Sequence, residues 1–143
     1  MDEGEAIRGD IAAWPTGRLL SVAARVVEGR FHAFLEAHGL THAGLIALHH
    51  LAAGPLSQRE IAALCRVTDQ TMSRTVEHLR QAGHVERHPD DRDRRRMLVR
   101  ITEAGAGALA AARHEERASE HLMGALDDYD WFREQLIKLI AAG

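Results

Sequence analysis

The chain is predicted to be mainly α-helical, with one small β-hairpin late in the sequence. Three observations lead there. Apolar residues recur at three- and four-residue steps through most of the 143 residues, the spacing that lines one face of a helix. Alanine is abundant and aromatic residues make up only 4%, which suits packed helices better than a β-sandwich. Two short runs, "HVERHP" and "MLVRIT", flank a charged "DDRDRRR", the pattern of two strands joined by a turn.

The first helix is expected over 17–39, where Leu19, Leu20, Ala23, Val26, Val27, Phe31, Phe34 and Leu35 share a face and Gly39 marks the stop. A second follows in "LTHAGLIALHHLAAGP", with Thr41 as N-cap and Gly54–Pro55 as its end. Gly44 within it lowers helix propensity by about 1 kcal/mol relative to alanine. "SQREIAALC" opens with a capping box, Ser57 and Glu60, and points Ile61 and Leu64 at the core. After the tight turn "RVT", Thr68 caps a helix that ends at Gly83 and buries Met72, Val76 and Leu79. Its other side carries Gln70, Thr71, Ser73, Arg74, Glu77 and His78. In the hairpin, Val85 faces inward while His84, Glu86 and His88 face outward. One long helix is expected over 102–126, and Asp127 caps a last one, with Asp128 and Asp130 in its first turn where the helix dipole favours them.

Composition narrows the function. Hydrophobic residues reach 45%, so disorder is not the default. No apolar run approaches the ~20 residues of a membrane span, and the acidic start "MDEGEAIRGD" does not read as a secretory signal. The lone Cys65 fits a reducing cytoplasm. The net charge of −3 argues only weakly against nucleic acid, because distant carboxylates are screened beyond ~8 Å at physiological salt. No cofactor is expected and no enzyme: nothing marks out a nucleophile–base arrangement, a phosphate loop or paired carboxylates.

A short capped helix, a tight turn, a second helix polar near its N-terminus and a basic hairpin together describe a winged helix-turn-helix. Gln70, Thr71, Ser73 and Arg74 are the residue types that reach base edges: arginine grips guanine with two hydrogen bonds and glutamine grips adenine. Ser57, at a helix start, is placed for a phosphate. The hairpin tip is narrow enough for a minor groove, whose negative potential draws arginine. Within it Asp93, Arg94, Arg95 and Arg96 are the wing candidates, Asp93 serving as a strut that holds one guanidinium in a fixed fork. The plain alternatives are an amphipathic surface helix and a solvated charged turn.

The run from Leu56 to Gly105, above all Asp93–Arg94–Arg95 followed by "MLVRITEAG", resembles the MarR family of bacterial transcriptional regulators. Asp93 and Arg95 stand before Thr102 at the family's spacing. The resemblance implies one domain over 1–143, with a DNA-binding lobe at 40–102 and a helical dimerisation region at 10–38 and 103–143. It implies a homodimer on a near-palindromic double-stranded operator, recognition helices in major grooves and wings in minor grooves. A repressor released by a small aromatic or anionic effector is the expected function. Two departures stand out: Gly44 replaces a bulkier polar residue, and "DDRDRRR" is more charged than most wings, which leaves open which arginine enters the groove. The apolar residues Trp131, Phe132, Leu136, Ile137, Leu139 and Ile140 of the last helix ask independently for a partner surface.

Other signals weigh less. Ten histidines invite a metal, and His42, His114 and His121 lie on helices that meet in the family's fold, but the spacing that puts two ligands on consecutive turns is absent and no metal site is expected. Cys65 reads as core. Trp14, Arg18, Arg25, His32 and His49 are effector-cleft residues or ordinary interface residues; none is assigned. The rivals are a metal-dependent regulator of the same type and a winged helix used as a protein-interaction module.

Overall fold

The computed structural model describes residues 2–143, apart from the side chains of Ala118, Ser119, His121 and Leu122. Its helices are α1 (Glu3–Ile11), α2 (Thr16–Ala37), α3 (His42–Leu51), α4 (Gln58–Cys65), α5 (Asp69–Gln81), α6 (Glu103–Ser119) and α7 (Tyr129–Ala142). Strands β1 (Val85–Pro89) and β2 (Met97–Ile101) form the hairpin between α5 and α6. Side-chain caps place the helix starts: Thr41, Ser57, Thr68, Thr102 and Asp128 each accept a backbone N–H from the first turn that follows. A cap of this kind contributes about 1 kcal/mol.

Helix α3 is the hub. It packs against α2, α4, α5, α6 and β2, and it buries Leu45, Ala47, Leu48 and Leu51. Met72, Val76 and Leu79 of α5 are buried as their spacing requires, together with Ile61, Val85 and Val99. Gly44 of α3 lies against Leu79 of α5. A Cβ there would stand 3.1 Å from Leu79 Cδ2 and 3.3 Å from Thr41 Oγ1, so a side chain at this position would need those neighbours to give by a few tenths of an ångström. Gly105 is a tighter case: a Cβ would fall 2.1 Å from the His84 carbonyl oxygen. That carbonyl accepts the Thr102 N–H at 3.0 Å, and the Thr102 hydroxyl donates to the Gly83 carbonyl at 2.6 Å, joining the start of α6 to the end of α5.

The hairpin is antiparallel, in register from Val85↔Ile101 to Pro89↔Met97. Leu56 adds a single-residue bridge, exchanging backbone hydrogen bonds with Val99 at 3.1 and 2.7 Å. One residue has no alternation to read, so this root of the wing was invisible in the sequence.

Five expectations are corrected. Residues 3–11 form a helix, although it buries nothing. The long helix ends at Ser119 and tightens into a 3₁₀ segment, Glu120–Ala125, a common way for a helix to finish. Asp128, not Asp127, caps α7. Leu64 is 50% exposed. His84 is buried, its Nε2 donating to the His38 carbonyl at 2.8 Å; it precedes the strand, so strand alternation does not govern it.

An apolar face remains uncovered. Helix α2 buries only Phe31 and Leu35, and α7 buries no residue. Val26, Trp131, Leu139 and Ile140 are each more than half exposed. Leu20, Val27, Phe132, Leu136 and Ile140 line a groove of about 510 Å³ between the two helices.

Candidate nucleic-acid interface

The helix-turn-helix is built from local signals. Ser57 Oγ accepts the Glu60 N–H and Glu60 Oε2 accepts the Ser57 N–H, both at 3.2 Å, which satisfies two donors that a helix start leaves unpaired. The Ser57 hydroxyl oxygen, the expected phosphate contact, accepts within its own cap, which leaves its O–H to donate, and the residue is half-buried. Helix α4 closes on Arg66 in the left-handed region (φ 57, ψ 43), with the Val67 N–H bonded to the Ala62 carbonyl at 3.0 Å. Thr68 then caps α5, accepting from the Thr71 N–H at 3.1 Å and donating to the Thr71 hydroxyl at 3.0 Å. Because Met72, Val76 and Leu79 anchor the opposite side, Gln70, Thr71, Ser73 and Arg74 all face solvent.

At the wing tip the aspartates shape the backbone. Asp90 Oδ1 accepts the Arg92 N–H and Asp93 Oδ1 accepts the Arg95 N–H, each at 3.1 Å, two Asx turns in succession. Backbone bonds from Asp90 N–H to the Arg96 carbonyl (2.8 Å) and from Arg96 N–H to the Asp93 carbonyl (2.9 Å) close the tip. Asp93 thus braces the turn and not a guanidinium. The carboxylates that hold arginines are others: Glu60 and Asp90 meet Arg96, and Glu86 takes Arg100 across the strands at 2.8 Å. Among the described residues, Arg92, Arg94 and Arg95 have no carboxylate within 4.0 Å, and all three are exposed. Of the wing candidates, then, Arg94 and Arg95 keep an unopposed charge and Arg96 does not.

A further constellation escaped the sequence reading. Glu77, on the polar side of α5, is gripped by Arg80 through Nε at 3.0 Å and Nη2 at 2.7 Å, and by Arg87 of β1 at 3.2 Å. The Arg80 hydrogen bonds, reinforced by Arg87, hold the Glu77 carboxyl down to about 2, and the Arg80 guanidinium is pushed up in return. A carboxylate on this face would repel phosphate; two guanidinium groups offset it. The Glu77–Arg80 spacing is a readable helical pair, whereas Arg87 arrives only through folding.

A profile described as the MarR family matches residues 38–96, from the end of α2 through both helices of the motif to the wing tip. The fold agrees over nearly its whole length with a probable transcriptional regulator from Pseudomonas aeruginosa, at 27% identity and a TM-score of 0.76, covering 90% of this chain and 96% of that one. Over residues 38–96 the chain is similar to the MarR family. A curated relative, the HTH-type transcriptional repressor NicR of Pseudomonas putida, is 37% identical over 75 residues. That match takes in 52% of this chain and 48% of NicR, so the chain spans about half the length of its curated relative. The fold is shared with a mutant MarR from E. coli solved in complex with operator DNA, at 23% identity, a TM-score of 0.76, and coverage of 91% of this chain and 96% of that one.

The remaining candidates are dispersed. Arg18 stacks over Trp14 at 5.6 Å, Arg25 donates to Ser21 at 3.2 Å, and His32 lies 3.8 Å from Glu36. His49 lines a small cavity, where its Nδ1 accepts from Arg113 at 2.8 Å. Val27, Glu28, Phe31, His42, Glu116 and Met123 border a larger cavity of about 330 Å³ beside α2 and α6. The His121 side chain lies outside the described residues, so the grouping with His42 and His114 has no geometry to report. Cys65 is half-buried against the core, and burial pushes its thiol up, away from reactivity. Among the described residues no helix is long and apolar enough to cross a membrane.

Proposed function

We propose that the chain is a sequence-specific, double-stranded-DNA-binding transcriptional regulator, a cytoplasmic repressor that acts as a homodimer and is released by a small-molecule effector. Residues 40–102 are the DNA-binding lobe, and 10–38 with 103–143 form the dimerisation region. One observation carries the reading. A chain of net charge −3 holds three unopposed arginines at a hairpin tip beside an exposed helix face of Gln70, Thr71, Ser73 and Arg74. Gln70 and Arg74 read bases, Thr71 and Ser73 touch bases or phosphate, the N-terminus of α4 at Ser57 faces phosphate, and Arg94 and Arg95 supply the wing contact. The similarity to the repressor NicR supports a repressor's role, and the fold is shared with a MarR solved on operator DNA.

The uncovered apolar faces of α2 and α7 would be buried by a second copy, and a two-fold dimer calls for a near-palindromic operator with half-sites about one helical turn apart. The cavity of about 330 Å³ is the effector's seat. Val27, Phe31 and Met123 suit an aromatic ring, while Glu28, Glu116 and Glu120 favour a neutral or cationic substituent over an anion. To act, the effector must bind one lobe spacing more tightly than the other.

Selection of genomic fragments by the purified protein, with Arg74→Ala in parallel, tests the reading. Enrichment of a palindrome by wild type, with Arg74→Ala losing discrimination by about 1–3 kcal/mol at one base pair, is the expected result. Failure of the folded, dimeric protein to enrich any sequence overturns it.

A further inference from the structure

The tip arginines divide by partner. Arg94 and Arg95 face solvent unopposed, whereas the Arg96 guanidinium meets Glu60 of α4 through Nη2 and Asp90 of the hairpin through Nη1 at 3.9 Å. The Glu60 carboxylate is fixed in turn, because its second oxygen accepts the Ser57 N–H at 3.2 Å. A line of contacts therefore runs from Ser57 through Glu60 and Arg96 to Asp90, from the start of α4 to the wing tip. The root of the wing is already held to this segment by the Leu56–Val99 bridge. This bridge, with the Arg87–Glu77 pair, holds the strands, and a contact nearer the tip restrains the loop that carries Arg94 and Arg95. A guanidinium suits that role, since its planar fork can meet carboxylates from two elements at once.

We infer that Arg96 is a positioning residue. It does not contact DNA; it ties the wing to the capping box of α4, so that Arg94 and Arg95 stand at a set distance from the recognition helix. The inference rests on the DNA-binding function proposed above. An untethered tip would lose more conformational freedom on binding, and affinity falls accordingly.

Three variants test it. Arg96→Ala removes the tether. Glu60→Gln removes its charge but keeps the capping box, in which glutamine serves as well. Arg94→Ala is the control. In the free protein, amide exchange at Asp90, whose N–H bonds the Arg96 carbonyl, should quicken about two- to fivefold in the first two variants, the range an exposed ion pair supplies, and stay unchanged in the third. On duplex DNA, Arg96→Ala should weaken binding by a similar factor without altering its salt dependence. Placed on an Arg92→Ala/Arg94→Ala/Arg95→Ala background, it should have no further effect, because no unopposed tip cation is left to position. Unchanged exchange in both tether variants overturns the inference, and so does a salt slope shallower by about 1.8 per dimer, which would make Arg96 itself a phosphate contact. A wild-type protein that binds no duplex overturns the DNA-binding function beneath it, and the exchange rates then still show whether the tether exists.

Discussion

The unequal pairing of the wing arginines implies an unequal response to salt. Arg95 is exposed, with no carboxylate within 4.0 Å among the described residues, while Arg100 donates to Glu86 Oε1 at 2.8 and 3.1 Å. Each phosphate neutralised contributes about −0.9 to the slope of log affinity against log salt. Arg95→Ala removes two such cations from a dimer, so its slope should be shallower than wild type by about 1.8. Between about 50 and about 200 mM salt, that difference changes the ratio of wild-type to variant affinity by about twelvefold. Arg100→Ala removes a cation already opposed by Glu86 and should leave the slope within about 0.5 of wild type. Fluorescence anisotropy of a labelled duplex across a salt series measures both slopes, with sedimentation confirming that each variant stays dimeric. Equal shifts for the two variants would refute the reasoning, since the ion pairs would then have no bearing on which arginines meet phosphate.

Other outcomes follow from single contacts. Gly105→Ala places a methyl against the His84 carbonyl and should destabilise the fold by roughly 1–3 kcal/mol, read from urea midpoints; an equally stable variant would mean that α6 does not pack there. The Glu77 carboxyl, lowered by Arg80 and then Arg87, should titrate near about 2. Its folded value lies below the ordinary glutamate range near ~4.3, so its contribution to stability is complete above that range and is lost as pH falls through it toward 2. Carboxyl-carbon NMR follows the titration directly, and Arg80→Ala should return it toward the ordinary value. Ile140→Asp alters a residue that is 65% exposed, so the protomer should keep its helical circular dichroism while sedimentation shows monomers; a persistent dimer would move the interface away from α7.

Much of this protein could be read from residues within four positions of each other. Ser57 with Glu60, Thr68 with Thr71, and Thr102 with Gly105 announce helix starts because a cap is a contact across three residues. Met72, Val76 and Leu79 announce the buried side of α5, and with it the exposure of Gln70, Ser73 and Arg74, because helical geometry makes one the complement of the other. The two short runs around "DDRDRRR", with the alternation around Val85, announced the hairpin. The same reach explains the misses. The first nine-residue helix has no buried stripe to betray it, and the Leu56 bridge has no period. The ion pairs join residues distant in the chain: Glu60 to Arg96, and Glu77 to Arg87. Composition shows an arginine cluster threaded with aspartates, but not which charges cancel. Only packing decides that Asp93 turns to a backbone amide, that Glu60 reaches the wing, and that Arg94 and Arg95 keep their charge, because Coulomb pairing depends on separation in space and not along the chain.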